Sequence, residues 1–281
     1  MKTERIGRDG YIGLVFEWRG GRTVLTNRRC RAPLQVLEPI NLPGGALGVM
    51  LLNNGGGMVG GDRATVEITL GSGARTVVTT ASAGRVYRAL DDPARHRTYV
   101  TMGADSALDY APDHLIPHAG AAIEQSLEIA MGPSCRAIIV NAMASGRVGR
   151  DERFAFRMVD DVVRVTRNGR YVYESRSRVV PEEIYPARTG VMDGFDYVAV
   201  MIVAGEASDP WNQVARRLEL RLERESPSGA VLGGVSALAG DGCFARILAT
   251  GAESMRRVIA ALWTEARAAL HDDSEPLVVR K

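Results

Sequence analysis

Apolar and polar residues alternate with a period of two along much of the chain, and glycines interrupt the alternation every ten residues or so. A strand turns successive side chains to opposite faces, so this pattern predicts half-buried strands joined by tight turns. Leu14, Phe16 and Trp18 fall on one parity and Val15, Glu17 and Arg19 on the other. Gly20-Gly21 then offers two positions tolerant of positive φ, and Arg22 to Leu25 resumes an extended pattern, which predicts a hairpin. Thr65 to Leu70 alternates strictly, and Arg75 to Thr80 and Thr98 to Met102 are further short β-rich runs. Ala121, Ile123, Leu127 and Ile129 share a parity opposite Glu124, Ser126 and Glu128, so one face of that strand is expected to be wet, with Gln125 a polar exception on the apolar side. Phe154, Phe156 and Met158 alternate likewise, and Val163-Arg164-Val165 runs into Asn168-Gly169, a strong hairpin signal, before Tyr171-Val172-Tyr173 returns.

Two segments follow a helical period instead. Asp209-Pro210 is the expected start of a helix running to Arg224, with Val214, Leu218 and Leu222 on one stripe. Met255, Val258, Ile259, Leu262, Trp263, Ala266 and Leu270 keep the 3.6-residue spacing of an amphipathic helix of about four to five turns. Between the two, Val231 to Ala239 and Phe244 to Ala249 flank Gly240-Asp241-Gly242 as a further hairpin. No fixed-period repeat and no long Pro/Ser-rich linker divides the chain, so residues 1–281 are read as one domain. The pattern predicts a mainly β fold with helices at one end, and leaves sandwich, barrel and β-solenoid open.

Composition narrows the function classes. A net charge of +2 gives no electrostatic footprint for nucleic acid or an acidic membrane. The N-terminus has no apolar stretch behind it, and the longest apolar run, Tyr197 to Ala204, is too short to span a bilayer, so neither secretion nor membrane insertion is expected. Cys30, Cys135 and Cys243 are odd in number and widely spaced, which fits packed thiols in a reducing cytoplasm better than a disulfide framework or thiolate zinc site. Glycine is the outlier at 31 residues, about 11% against a usual ~7%.

Gly55-Gly56-Gly57-Met58-Val59-Gly60 satisfies G-x-G-x-x-G, but the context excludes a dinucleotide site. The motif should open a helix that holds a pyrophosphate, whereas the strict period-two run Thr65 to Leu70 follows. The acid expected about 20 residues on is also missing, since no Asp or Glu lies between Glu67 and Asp91. No Gly-Lys-Ser/Thr of a Walker A loop occurs. Five glycines in seven residues read as a tight connection where positive φ or close backbone approach excludes a Cβ, with Asp62 held at its end either as a turn residue or as a carboxylate facing a partner or a cation.

Gly56-Gly57-Met58-Val59-Gly60-Gly61-Asp62, Gly73-Ala74, Thr79-Thr80 and Arg85-Val86-Tyr87-Arg88, in that order and spacing, resemble the urease accessory protein family UreD, also called UreH. The resemblance continues through Gly21-Arg22-Thr23, Pro33-Leu34, Leu108-Asp109-Tyr110-Ala111-Pro112, Ile116-Pro117, Ser145-Gly146-Arg147 and the closing helix with Trp263 and Arg267. The chain departs from the family at Arg85, where Lys is usual, at Tyr110, where Trp is usual, and at Asn141, where many members carry Asp or Glu. The tail Pro276 to Lys281 lacks the common Arg-Ile-Trp ending.

The resemblance implies a β-helix-like stack of short strands with a few helices, the clearest near the C-terminus. It also implies a cytoplasmic scaffold and chaperone, not an enzyme, that binds urease apoprotein and helps UreF and the GTPase UreG install nickel. An ion in transit needs exchangeable oxygen or nitrogen contacts instead of a closed thiolate cage. By resemblance a polar-path role falls on Asp62, Ser82, Asn141 and Glu174. An ion pair with Arg176 or Arg178 is the plainer reading of Glu174. His114 and His118 have an i, i+4 spacing, but Pro112 and Pro117 rule out one helix through them, so they read as loop or interface groups. Arg85, Tyr87 and Arg88 are either strand-edge residues or a partner-facing patch. Two other classes stay open: a small-molecule enzyme using Asp62 and Glu174 as acid and base in one cleft, and a β-rich binding module without a metal role.

Overall fold

The computed structural model describes residues 8–184, 188–189, 191–206, 210–226, 229–239 and 242–271. The first strands are β1 (Asp9–Arg19), β2 (Arg22–Arg31), β3 (Leu34–Val36), β4 (Ile40–Asn41), β5 (Leu47–Asn53) and β6 (Arg63–Leu70). They are followed by β7 (Arg75–Thr80), β8 (Gly84–Val86), β9 (Ala94–Met102), β10 (Ala107–Tyr110), β11 (Leu115–Pro117) and β12 (Ala122–Met131). The last are β13 (Arg136–Ala144), β14 (Met158–Arg167), β15 (Arg170–Val179), β16 (Tyr197–Gly205), β17 (Val231–Ala237) and β18 (Gly242–Ala249). The α-helices among the described residues are α1 (Trp211–Glu225) and α2 (Ala252–His271).

The chain winds between two sheets. The first has the order β15-β14-β12-β9-β6-β1-β2, and the second runs β17-β18-β16-β13-β10-β7-β5-β3 with β4, β8 and β11 alongside. From β5 to β14 the main strands alternate between the sheets, and β1, β6, β9, β12 and β14 pair parallel and in register, as do β5, β7, β10 and β13. This is a solenoid of stacked coils, each resting on its neighbours, and antiparallel pairs close its ends. The solenoid alternative and the family expectation of a mainly β stack therefore both hold. The Gly20-Gly21 and Asn168-Gly169 hairpins form as the sequence predicts, with positive φ at all four residues.

The sheets pack through their inner faces, where Ile12, Phe16, Ile68, Ile123, Ile129 and Ile139 are buried in one apolar cluster. The outer face of the second sheet carries Ile138, Met201 and Val203 under the stripe Val214, Leu218 and Leu222 of α1 and Met255, Val258 and Leu262 of α2. With both faces covered, β16 has no wet side, which accounts for the long apolar run noted in the sequence. The outer face of the first sheet meets solvent and is laced by ion pairs such as Arg95–Glu124 and Arg176–Asp160.

Some local expectations differ. Phe154 and Phe156 precede β14 in a loop, and Phe154 takes a φ of 52°, so their alternation belongs to no strand. Cys135 and Cys243 are buried as expected, but Cys30 lies exposed on the edge strand β2. The proposed helix start at Asp209 falls outside the described residues, as do Gly240 and Asp241 of the β17–β18 turn. Among the described residues no helix is long and apolar enough to cross a membrane.

Candidate functional site

A cavity of about 200 Å³ lies between the two sheets. Its origin is a single level of the coil. Ala64, His96, Gln125 and Asp161 are successive register partners on β6, β9, β12 and β14, and the level continues to Gly10 on β1 and Ser177 on β15. Two residues further along the strands the corresponding level reads Ile12, Val66, Thr98, Leu127 and Val163. Small and polar side chains thus replace bulky ones on one row, at strand spacings of about 4.8 Å. Space opens where the row faces Tyr110 and Asn141 of the second sheet.

Asn141 spans the gap: its Nδ2 donates to Oδ2 of Asp161 on the opposite sheet. Burial pushes the Asp161 carboxyl above its usual range, against hydrogen bonds from Gln125 and Asn141 that favour the ionised form. Burial also raises Tyr110, whose hydroxyl bonds to Thr98 and feels the Asp161 charge. His96 is only partly covered because one side faces the cavity, yet it sits deep enough between the sheets for desolvation to push it down to about 4. The cavity wall therefore offers two carboxylates (Asp113 and Asp161), three amides (Asn53, Gln125 and Asn141), hydroxyls and a neutral imidazole, a weak and exchangeable donor set. Among the described residues no group of three or more His, Cys, Asp or Glu side chains is placed to hold a metal ion.

Two of the four residues singled out by resemblance, Ser82 and Asn141, line this cavity; Ser82 is exposed at its mouth. Asp62 and Glu174 are not among the lining residues. Asp62 closes the glycine loop on itself, its Oδ2 accepting from the Val59 amide at 2.9 Å while its own amide donates to the Val59 carbonyl at 3.1 Å. Close approach of neighbouring atoms excludes a Cβ from that loop: one on Gly57 would stand 2.6 Å from the Tyr87 ring, and one on Gly60 2.8 Å from Ala89. Glu174 sits on the wet outer face of the first sheet and accepts from Arg164 Nε at 2.8 Å, so it is ion-paired across strands and not along its own.

His114 and His118 flank β11 and turn to different neighbours, His114 edge-on to Tyr197 at 5.3 Å and His118 to Tyr87 at 4.8 Å. Asp161 and His96 escaped the sequence reading. The signal was available in the parity that marked Gln125: Asp161 shares the apolar side of β14 with Val159, Val163 and Val165, and His96 shares that of β9 with Ala94 and Val100.

A two-sheet parallel solenoid that encloses its polar groups in an internal cavity, with a pair of helices against one sheet, defines the class of protein. The model of the UreD urease accessory protein family matches residues 8–280, nearly the whole chain, and the chain belongs to that family. It is 32% identical over 253 residues to a urease accessory protein UreD of Sorangium cellulosum, covering 89% of this chain and 78% of that one. It is 32% identical over 203 residues to the UreD of Deinococcus radiodurans, covering 72% and 73% of the two chains. Against the UreD of Haloarcula marismortui it is 29% identical over 274 residues, covering 96% and 90%. Membership assigns the chain a role in urease maturation.

Proposed function

We propose that the chain is a cytoplasmic scaffold that grips urease apoprotein and, with UreF and the GTPase UreG, passes nickel to the urease active site without catalysing a reaction itself. The observation that carries this reading is the row His96–Gln125–Asp161 facing Asn141 inside an otherwise apolar sandwich. A carboxylate buried in a core costs stability even where two amides bond to it, which marks the row as serving more than packing, and its exchangeable contacts suit an ion that must leave again. Ser82 at the mouth and Asn141 within belong to this path, and Asp161 supplies its carboxylate. Asp62 and Glu174 stand outside the cavity wall, so a part for them lies in the approach of the ion or the grip on a partner.

The test is urease matured in cells that hold or lack this chain. Purified urease should carry nickel and activity only in its presence, and the chain should co-purify with UreF and UreG; urease fully loaded without it refutes the reading. Asp62→Ala leaving the nickel content of urease unchanged would remove that residue from the path.

A further inference from the structure

The cavity reaches solvent where its lining is exposed: Gly56 on the glycine loop, and Ser82, Gly84 and Arg85 on the segment around β8. That mouth is cationic. Arg85 both lines the cavity and faces solvent. Burial, followed by the charge of Arg147 and then those of Arg85 and Arg150, holds the His118 imidazole below its usual range against the opposing charge of Glu152. Tyr87 ties this cluster to the mouth: its ring packs edge-on to His118, and its hydroxyl donates to the Gly56 carbonyl at 3.1 Å. Arg88 joins from the next position of the chain, with its side chain laid over Gly120, where a Cβ would meet it at 3.0 Å.

Glu152 answers Arg147 in this cluster and is fully engaged, and Asp113 joins Asp161 as a second carboxylate on the cavity wall. Glu152 accepts two bonds from Arg147 and a third from the Ala119 amide at 3.3 Å. Among the described residues Arg85, Arg88 and Arg150 form no ion pair, although all three are exposed. Asp91 and Asp92, the exposed acids of the neighbouring loop, pair with none of them. On the outer face of the first sheet, by contrast, Arg95, Arg164 and Arg176 are answered by acids on adjacent strands.

An unanswered cationic rim conflicts with the entry of a divalent cation, since like charges within about 8 Å repel even at physiological salt. It suits the reception of carboxylates, which guanidinium groups bind in forked pairs, and Arg and Tyr are enriched at the centres of interfaces. We propose that Arg85, Arg88, Arg147 and Arg150 form the docking site for an acidic segment of a protein partner, and that docking neutralises the rim and makes the cavity mouth passable to a divalent cation. The second half rests on the ion-transit reading above; the docking half stands without it.

Docking is tested on the full chain by fluorescence anisotropy with a labelled ten-residue glutamate peptide at low and physiological salt. Saturable binding that weakens with salt is expected. It should fall at least tenfold in Arg85→Glu/Arg88→Glu/Arg150→Glu and stay unchanged in Arg28→Glu/Arg29→Glu on the β2 edge. Thermal melts accompany each variant, and the single Arg150→Glu, in an exposed turn, replaces the triple change should that one fail to fold. No saturable binding, or equal loss in both variants, overturns the docking site. Tighter binding of a ten-nucleotide single-stranded RNA through the same arginines also overturns it, by assigning the patch to nucleic acid. For the mouth, nickel-ion uptake by the chain alone is measured by equilibrium dialysis, and Arg85→Gln/Arg150→Gln should raise it severalfold. Unchanged uptake with intact peptide binding sinks the neutralisation step alone, whereas no uptake by any variant sinks the ion-transit reading and leaves docking in place.

Discussion

Trp263 and Asp109 lie 154 positions apart in sequence and are joined by a hydrogen bond of 2.9 Å from the indole Nε1 to the carboxylate Oδ2. Arg267, one turn further along α2, donates to the same oxygen, and both members of this ion pair are buried. The contact fixes the helix over β10 near the centre of the second sheet. Removing one partner of a buried pair leaves an uncompensated charge, which typically costs about 3–5 kcal/mol. Asp109→Ala is therefore expected to lower the denaturant midpoint by a corresponding amount. Asp109→Leu combined with Arg267→Met should recover most of the loss, and chemical denaturation of the three variants checks both statements.

Asp161→Asn is expected to raise the melting temperature at neutral pH while lowering the nickel content of co-expressed urease. Burial holds the Asp161 carboxyl above its usual range, so its ionised form is disfavoured in the fold, and an amide of the same shape removes that cost. Thermal denaturation and metal analysis are read together. A variant that loses stability at neutral pH would contradict the assignment of strain to this carboxylate.

The pH profile carries a second signature. His96 drops to about 4 in the fold against a usual value near 6.5, so between these values the unfolded chain binds the proton first. Stability from this residue is complete above pH ~6.5 and is lost as pH falls toward ~4, by at most about 3 kcal/mol. Asp161 acts in the opposite sense, because its raised value favours the protonated fold as pH falls through it. His96→Gln should flatten the decline of the urea midpoint between pH 6.5 and 4, measured against the unmodified chain.

The free edges of the sheets differ in how they are guarded. β2 carries Arg22, Arg28, Arg29 and Arg31, and β15 carries Arg170, Glu174, Arg176 and Arg178, whereas β17 has no charged residue and leaves Leu232 51% exposed. Uncharged, exposed edges template association. Leu232→Lys is expected to raise the soluble yield of the isolated chain and slow its aggregation in light scattering, with its melting temperature held within the small range of surface substitutions.

The strands were legible because period-two alternation is a local property, and Asn168-Gly169 and Gly20-Gly21 set their hairpins through backbone preference alone. Choosing the solenoid required knowing which strands pair, and the parallel partners Gln125 and Asp161 are 36 positions apart with no local mark of their pairing. For the same reason the cavity was half seen. Gln125 stood out as polar on an apolar parity, but a single strand does not reveal that His96 and Asp161 occupy the same level. Asp62 and Glu174 stood out by residue type and position, while their roles in a turn and in a cross-strand pair depend on neighbours that only the fold supplies.

In-register stacking gives the internal row an unusual grammar, in which each winding of the chain contributes one letter. Replacing Ala64 by serine would extend the polar line by one step of about 4.8 Å toward β1 without any change of backbone path. A single-residue insertion within β12 would instead turn Gln125 outward to water and split the line in two. The reach of such a row can therefore be lengthened by point substitution, but its continuity depends on every winding keeping count.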